Sequence, residues 1–243
     1  MRPPAMTAAI RSLRCTARIR RSSAGWVPLP TGSASSPTGS ISKRFAALPD
    51  QRDPAHPLVA LLGRVVPIKD VKTFIRAAAI AHAERPDIRF VVLGPEDEDR
   101  EYAAECSRLV EDLDLSPVFR FAGRVRIEDW MAKIDLLVLT SLSEAQPLVI
   151  LEGGACGIPV VAPDVGSCRE MIEGRGGADS GHGGIITPLV NPAATAAGIL
   201  AIAGDPAMRS AMGETMRERV RRDYDHDTII GAYAQLYETL IQR

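Results

Sequence analysis

Leu58-Val59-Ala60-Leu61-Leu62-Gly63-Arg64-Val65-Val66-Pro67-Ile68-Lys69-Asp70-Val71-Lys72-Thr73-Phe74-Ile75 is the stretch whose reading decides the fold. Its first five residues are continuously apolar and lack the alternation of a strand with one wet face. They read as a strand buried on both sides of a parallel sheet. Gly63 closes the run, and Asp70 has the side chain of a good helix N-cap. Beyond it Phe74, Ile75, Ala78 and Ile80 continue a helical segment. This is one β/α unit, with Arg64 and Lys69 flanking the loop at the carboxyl end of its strand, where open α/β sheets bind ligands.

The same alternation continues outward. Ile88–Leu93 is a second strand closed by Gly94-Pro95, followed by an acidic helix from about Asp99 to Leu113. Val118–Phe121, a short helix over Ile127–Ile134 and the apolar Leu136–Leu139 come next. A helix ending at Gly157, a strand over Pro159–Ala162, a brief helix over Ser167–Ile172 and a Gly-rich loop over Glu173–Gly184 lead to a sixth strand, Gly184–Thr187. Helices over Pro192–Ala203, Pro206–Arg222 and His226–Ile241 close the chain. The pattern predicts an α/β fold: a single Rossmann-like doubly wound parallel sheet of about six strands, with C-terminal helices. There is no internal repeat.

A length of 243 residues, with 46% hydrophobic and 24% charged residues, is ordinary globular material. The net charge of −1 conceals a split. Residues 1–49 carry eight Lys or Arg and no acid, so the rest holds 21 basic against 30 acidic residues, a net of −9. That body is not a nucleic-acid binder by charge. The sequence divides into a basic, disordered leader and linker over 1–49, transit-peptide-like in composition but read first as a non-native start, and a Rossmann-like domain over 50–243. Cys15, Cys106, Cys156 and Cys168 have neither metal-ligand spacing nor a dense disulfide pattern, and read as reduced thiols of a cytoplasmic protein. No apolar run approaches a membrane span.

A second stretch carries the chemistry: Ser143-Glu144-Ala145-Gln146-Pro147-Leu148-Val149-Ile150-Leu151-Glu152. Two carboxylates stand eight positions apart, Glu144 in a polar loop and Glu152 inside an apolar run. Pro147 suits a first helical position, since its missing N–H costs nothing there. The helix mouth between the two acids is a ready phosphate site. Loop carboxylate, phosphate-facing amides and second carboxylate together fit a sugar nucleotide, and Arg64 with Lys69 can compensate a diphosphate without a metal. Each residue also has an ordinary reading: surface cations for Arg64 and Lys69, a loop cap for Glu144, a solvent-facing helix position for Glu152.

Gly63-Arg64 with Lys69, then Glu144 and Glu152, resembles the donor-binding half of retaining GT-B glycosyltransferases. The wording from Ser143 to Glu152, with Ile158-Pro159-Val160-Val161 and Asp164-Val165-Gly166, resembles the PelF-type branch of family 4. The likeness runs from about Leu58 to Arg243. It implies one half of a GT-B fold and transfer of a hexosyl group, glucose from UDP-glucose, to a glycan acceptor. It implies that Arg64 and Lys69 contact the donor phosphates, Glu152 accepts the ribose hydroxyls, and Glu144 acts catalytically beside the transferred sugar. Gly63, Gln146 and Leu148 join the donor-binding set, and Val125 offers backbone groups to the base. It implies no metal and no cofactor beyond the nucleotide sugar. The partners expected are the nucleotide sugar, a glycan acceptor, and a polypeptide supplying the N-terminal half or a membrane polysaccharide-synthesis complex.

The sequence departs from that pattern in three places. Ala145 stands where the family has glycine, at a cost of about 1 kcal/mol if the position needs positive φ. Gly153-Gly154 is expected to loosen the helix behind Glu152 by about 1 kcal/mol per glycine. Only 57 residues precede the first strand and they lack the pattern of a Rossmann domain, so a truncated enzyme, weak in binding and transfer, is expected. The apolar face of the last helix (Ile229, Ile230, Tyr233, Leu236, Tyr237, Leu240, Ile241) would then lack its usual partner. A non-catalytic nucleotide- or partner-binding module is the alternative. A dinucleotide oxidoreductase is disfavoured, because no G-x-G-x-x-G follows the first strand.

Overall fold

Six strands form one sheet in the order β3-β2-β1-β4-β5-β6, and every neighbouring pair is parallel. They are β1 (Leu58–Leu62), β2 (Arg89–Leu93), β3 (Phe119–Phe121), β4 (Leu136–Val138), β5 (Val160–Pro163) and β6 (Gly184–Thr187). The helices are α1 (Val71–Glu84), α2 (Arg100–Asp112), α3 (Glu128–Met131), α4 (Leu148–Ala155), α5 (Cys168–Glu173), α6 (Pro192–Gly204), α7 (Pro206–Asp223) and α8 (His226–Ile241). The computed structural model describes Phe45, Leu48 and residues 50–174, 181–224 and 226–241. The expected leader, and residues 175–180 of the Gly-rich loop, lie outside the described residues.

Period-two side-chain direction explains why the central strands β1, β4 and β5 are apolar throughout. On one face Val59, Leu61, Phe90, Val92, Leu136 and Val138 pack with Phe74 and Ile75 of α1, Cys106 of α2 and Ile199 of α6. On the other, Ala60, Val91, Leu137, Leu139 and Val160 pack with Met131 of α3, Ile150 of α4, Met171 of α5 and Met216 of α7. Covering on both faces confines polar strand residues to the outer strands, at Arg89, Arg120 and Thr187, which is the doubly wound arrangement the sequence predicts.

The chain enters this sheet through a buried acid. Asp135, 3% exposed, accepts the Leu58 amide at 2.9 Å and lies 3.6 Å from the Arg209 guanidinium of α7. Burial pushes its carboxyl above the usual carboxylate range, against the pull of the Leu58 amide and Arg209. Asp135 therefore ties the starts of β1 and β4 to α7. Arg219 of α7, 2% exposed, donates to the carbonyls of Met171, Ile172 and Gly181 and holds both ends of the segment between α5 and β6.

Several expectations need correction. Pro147 is the N-cap of α4 rather than its first helical residue, because its ψ of 113° is still extended. Ile80 is 39% exposed and lies outside the core. The helix expected over Ile127–Ile134 is only Glu128–Met131. Cys156 follows α4 as its C-cap rather than lying within the helix. Of the expected apolar face of α8, Ile230, Tyr237 and Ile241 are exposed, and the side chains of Ile229, Tyr233, Leu236 and Leu240 lie outside the described residues.

Gly153-Gly154 is the correction with most physical content. A Cβ at Gly153 would stand 2.1 Å from Leu137 Cδ1 of β4, and one at Gly154 2.7 Å from Val220 Cγ2 of α7. The glycines let α4 lie between the sheet and α7; they are packing residues, not weak points. Gly153→Ala is therefore expected to destabilise the fold by about 1–3 kcal/mol through overpacking, outweighing the roughly 1 kcal/mol that alanine gains in helix propensity. The thermal midpoint followed by circular dichroism reads this, and an unchanged or higher midpoint would refute the close packing.

Cys106 and Cys168 are fully buried, Cys156 is partly so, and all three are free thiols. Burial pushes each thiol up to about 11. At pH 8 only about one thiol in a thousand would be ionised, and the thiolate is the nucleophile. Iodoacetamide at pH 8 should leave these three unmodified in the folded chain and alkylate them in urea. Peptide mass mapping that found any of them labelled under native conditions would contradict this burial.

Candidate functional site

The strand order reverses between β1 and β4, so the crevice between their following loops is the topological switch point of the sheet. After β1 the chain passes through Gly63-Arg64-Val65-Val66 into a tight 3-10 turn, Pro67–Lys69, and then α1. Asp70 links the two. It adopts left-handed backbone (φ 44°, ψ 51°), and its carboxylate accepts the Thr73 amide at 3.3 Å. Its Oδ2 is buried without a hydrogen-bond partner among the described residues. A non-glycine residue held in this conformation directly after Lys69 is a local cost of the kind that gathers at working sites.

The loop after β4 is stitched to this turn. Thr140 Oγ1 donates to the Lys69 carbonyl at 2.9 Å, and the Leu142 amide donates to the Ile68 carbonyl at 2.9 Å. With the two backbones fixed, Lys69 Nζ meets Glu144 Oε1 at 2.6 Å, the side chains being 23% and 13% exposed. A cation and a carboxylate this sheltered interact more strongly than an exposed pair. The alkyl stem of Lys69 runs over Gly63, where an added Cβ would lie 3.6 Å from its Cδ and Cε.

The loop after β5 supports Glu144 from the other side. Ser167 gives both its amide and its hydroxyl to the Ala145 carbonyl, each at 3.0 Å. Gly166, at φ +55°, comes so close that an added Cβ would stand 2.1 Å from the Glu144 carbonyl oxygen. Ala145 is not among the residues with positive φ, so the cost expected for alanine there does not arise. No side chain caps α4. Leu148, 59% exposed, begins the helix, and Glu152, half-buried, follows one turn later on the same face. Gln146 is exposed in the loop between Glu144 and α4.

Arg64 leaves the same strand end but turns away from Lys69, pairing with Glu98 in the loop after β2; both side chains are half exposed. Sequence reasoning missed Glu98, although the acidic run Glu96 to Asp99 follows the neighbouring strand. Ser167 was missed as well. Val125 sits beyond β3, two strand spacings (about 10 Å) from β1, and packs partly against the core. The structure thus joins Lys69 with Glu144 and sets Gly63, Gln146, Leu148 and Glu152 around the same strand ends. It gives Arg64 to another acid and leaves Val125 beyond the carboxyl end of the edge strand β3. Ile68 and Leu142, 43% and 41% exposed, add apolar surface beside the pair. Among the described residues no group of three or more His, Cys, Asp or Glu is placed to hold a metal ion.

The glycosyl transferases group 1 family matches residues 56–205, from just before β1 to the end of α6. The chain belongs to this family. A D-inositol 3-phosphate glycosyltransferase of Kineococcus radiotolerans is 35% identical over 174 residues, covering 68% of this chain and 40% of its own. The group 1 chain therefore spans well under two thirds of that relative. The Anabaena protein HepE, solved in complex with UDP, shares the fold with a TM-score of 0.66 at 24% identity, over 78% of this chain and 50% of its own. The C-terminal domain of a Francisella tularensis glycosyl transferase group 1 family protein gives 0.60 at 22% identity, over 78% of this chain and 95% of that one. The sheet is that of a GT-B C-terminal domain.

Gly166→Ala tests whether the β5 loop presses on Glu144. Left-handed backbone costs alanine about 1–2 kcal/mol, and relieving the overlap must displace the Glu144–Ala145 segment. A lower urea midpoint is expected, and a midpoint equal to the native one would show that the two loops are not in register as described.

Proposed function

We propose that this group 1 chain is the donor-binding half of a retaining hexosyltransferase that takes UDP-glucose. The observation that carries the reading is the Lys69–Glu144 pair at the β1/β4 switch point, with an uncapped helix start beside it. In the resting site Glu144 occupies Lys69. On donor binding, Lys69 and Arg64 exchange their carboxylates for the diphosphate, whose charge they then stabilise as it departs. Glu144, released next to the sugar, holds its hydroxyls or stabilises positive charge developing at the anomeric carbon. Glu152, one turn into α4, accepts the ribose hydroxyls, for which two carboxylate oxygens are well matched. No step in this reading calls on a metal.

Two features bear on the acceptor. The Ser143–Glu152 wording favours a PelF-type enzyme acting on a glycan, as part of a membrane polysaccharide-synthesis complex. The relative from Kineococcus radiotolerans favours an inositol phosphate. Transfer to either requires an acceptor-binding half. Among the described residues no helix is long and apolar enough to cross a membrane, and a cytoplasmic location accords with a nucleotide-sugar donor. The exposed Ile230, Tyr237 and Ile241 of α8 favour a second reading, a nucleotide-sugar-binding module that docks a partner without turnover itself.

Calorimetric titration with UDP-glucose tests the donor site. Arg64→Ala, Lys69→Ala and Glu152→Ala are each expected to weaken binding at least about ten-fold, equivalent to about 1.4 kcal/mol. Glu144→Gln, which removes the carboxylate competing for Lys69, should tighten UDP binding and lose the preference for UDP-glucose over UDP. Equal affinity across the native chain and all the variants would remove the site.

A further inference from the structure

At the opposite edge of the sheet, where β1, β2 and β3 begin, lies a cavity of about 470 Å³. That size is typical of small-molecule sites. It is separated from the Gly63–Lys69 turn by the length of a strand, roughly 15 Å, so it is no part of the donor crevice. Three cations line it: Arg89, Arg120 and Lys133. Among the described residues none of them is ion-paired to a carboxylate. Arg89 commits one nitrogen to the carbonyls of Pro86, Asp87 and Ile88, which leaves the rest of its fork uncommitted. The single acid in the lining, Asp53, is already held by His56 at 3.0 Å and by the Ala55 amide at 2.9 Å.

Trp130 draws two of these cations together. The Arg120 guanidinium carbon stands 4.5 Å from the centre of its ring and Lys133 Nζ 5.9 Å, which keeps the two charges within about 10 Å of each other. The ring's π-system attracts each of them, but it leaves two like charges bordering one cavity, neither paired with a carboxylate among the described residues. An anion between them would remove the repulsion and take up their donors. The remaining wall, with Leu58, Pro117 and Val118, is apolar. A cavity with cations on one side and apolar surface on the other suits a ligand with a charged head and an uncharged body. A doubly charged head matches three cations against one committed acid better than a carboxylate does.

We propose that this cavity binds a small organic phosphate. Its phosphate bridges Arg120 and Lys133 with support from Arg89, and its apolar or ring portion lies on Leu58, Pro117 and Val118. Because the site lies on the far edge of the sheet, it fills independently of the nucleotide sugar and answers to a different metabolite class.

Calorimetric titration of the full chain with phenyl phosphate tests this, with inorganic phosphate and phenyl glucoside as the separate halves of the probe. Phenyl phosphate should bind in the sub-millimolar range, inorganic phosphate at least ten-fold more weakly, and phenyl glucoside not measurably. The Arg120→Ala/Lys133→Ala double variant should lose at least ten-fold. Both side chains are exposed, so its circular dichroism should match the native chain, and the exchanged pair Arg120→Lys/Lys133→Arg should retain binding. Lys69→Ala, or saturation with UDP, should leave the phenyl phosphate affinity unchanged. Absence of binding by the native chain, undiminished binding by the double alanine variant, or loss of binding in Lys69→Ala would each overturn the proposal; the last would place the phosphate in the donor crevice.

Discussion

Lys69 and Glu144 meet at 2.6 Å with most of both side chains withdrawn from water, and each needs a different loop held still to be there. Three backbone-anchored contacts do the holding: Thr140 to Lys69, Leu142 to Ile68, and Ser167 to Ala145. They join the ends of β1, β4 and β5, and β1 lies next to β4 only because the winding direction reverses there. The pair is thus a consequence of topology. A sheet wound in one direction would have set Lys69 and Glu144 on loops that never touch.

The same dependence runs downward into the core. α4 brings Leu148 and Glu152 to the strand ends because its second half is thin enough to slide between Leu137 and Val220. Gly157, in left-handed backbone at φ +68°, then turns the chain into β5. The site and its support are one object: the residues that fix where α4 starts are those that let it pack.

Strands and helices were legible in the sequence wherever burial on both faces writes a continuous apolar run. Leu58–Leu62 and Gly184–Thr187 have in the structure the bounds the sequence suggests. Short elements blurred, α3 most of all, because four residues hold too little periodicity to mark an end. The candidate site residues were visible as residue types at a spacing, and their loops could be assigned to strand ends. Their partners were not visible. That Lys69 would take Glu144 and Arg64 would take Glu98 depends on which strands become neighbours, and nothing local to either sequence states it. The glycines misled for a related reason: propensity describes a helix alone in water, whereas Gly153 and Gly154 are set by what lies across from them. Asp70 was seen as a cap, but its left-handed backbone has no mark in the sequence.

A resting site whose cations are already matched by acids has little field of its own at a distance. Arg64 faces Glu98, Lys69 faces Glu144, and the surrounding body from residue 50 onward carries a net charge of −9. An anionic visitor is therefore not drawn in from solution by attraction; it must arrive by diffusion and win its cations at contact range. In the proposed donor role, such a doorway discriminates by fit instead of by charge, favouring a multivalent phosphate that can displace two tethered carboxylates over singly charged anions that cannot.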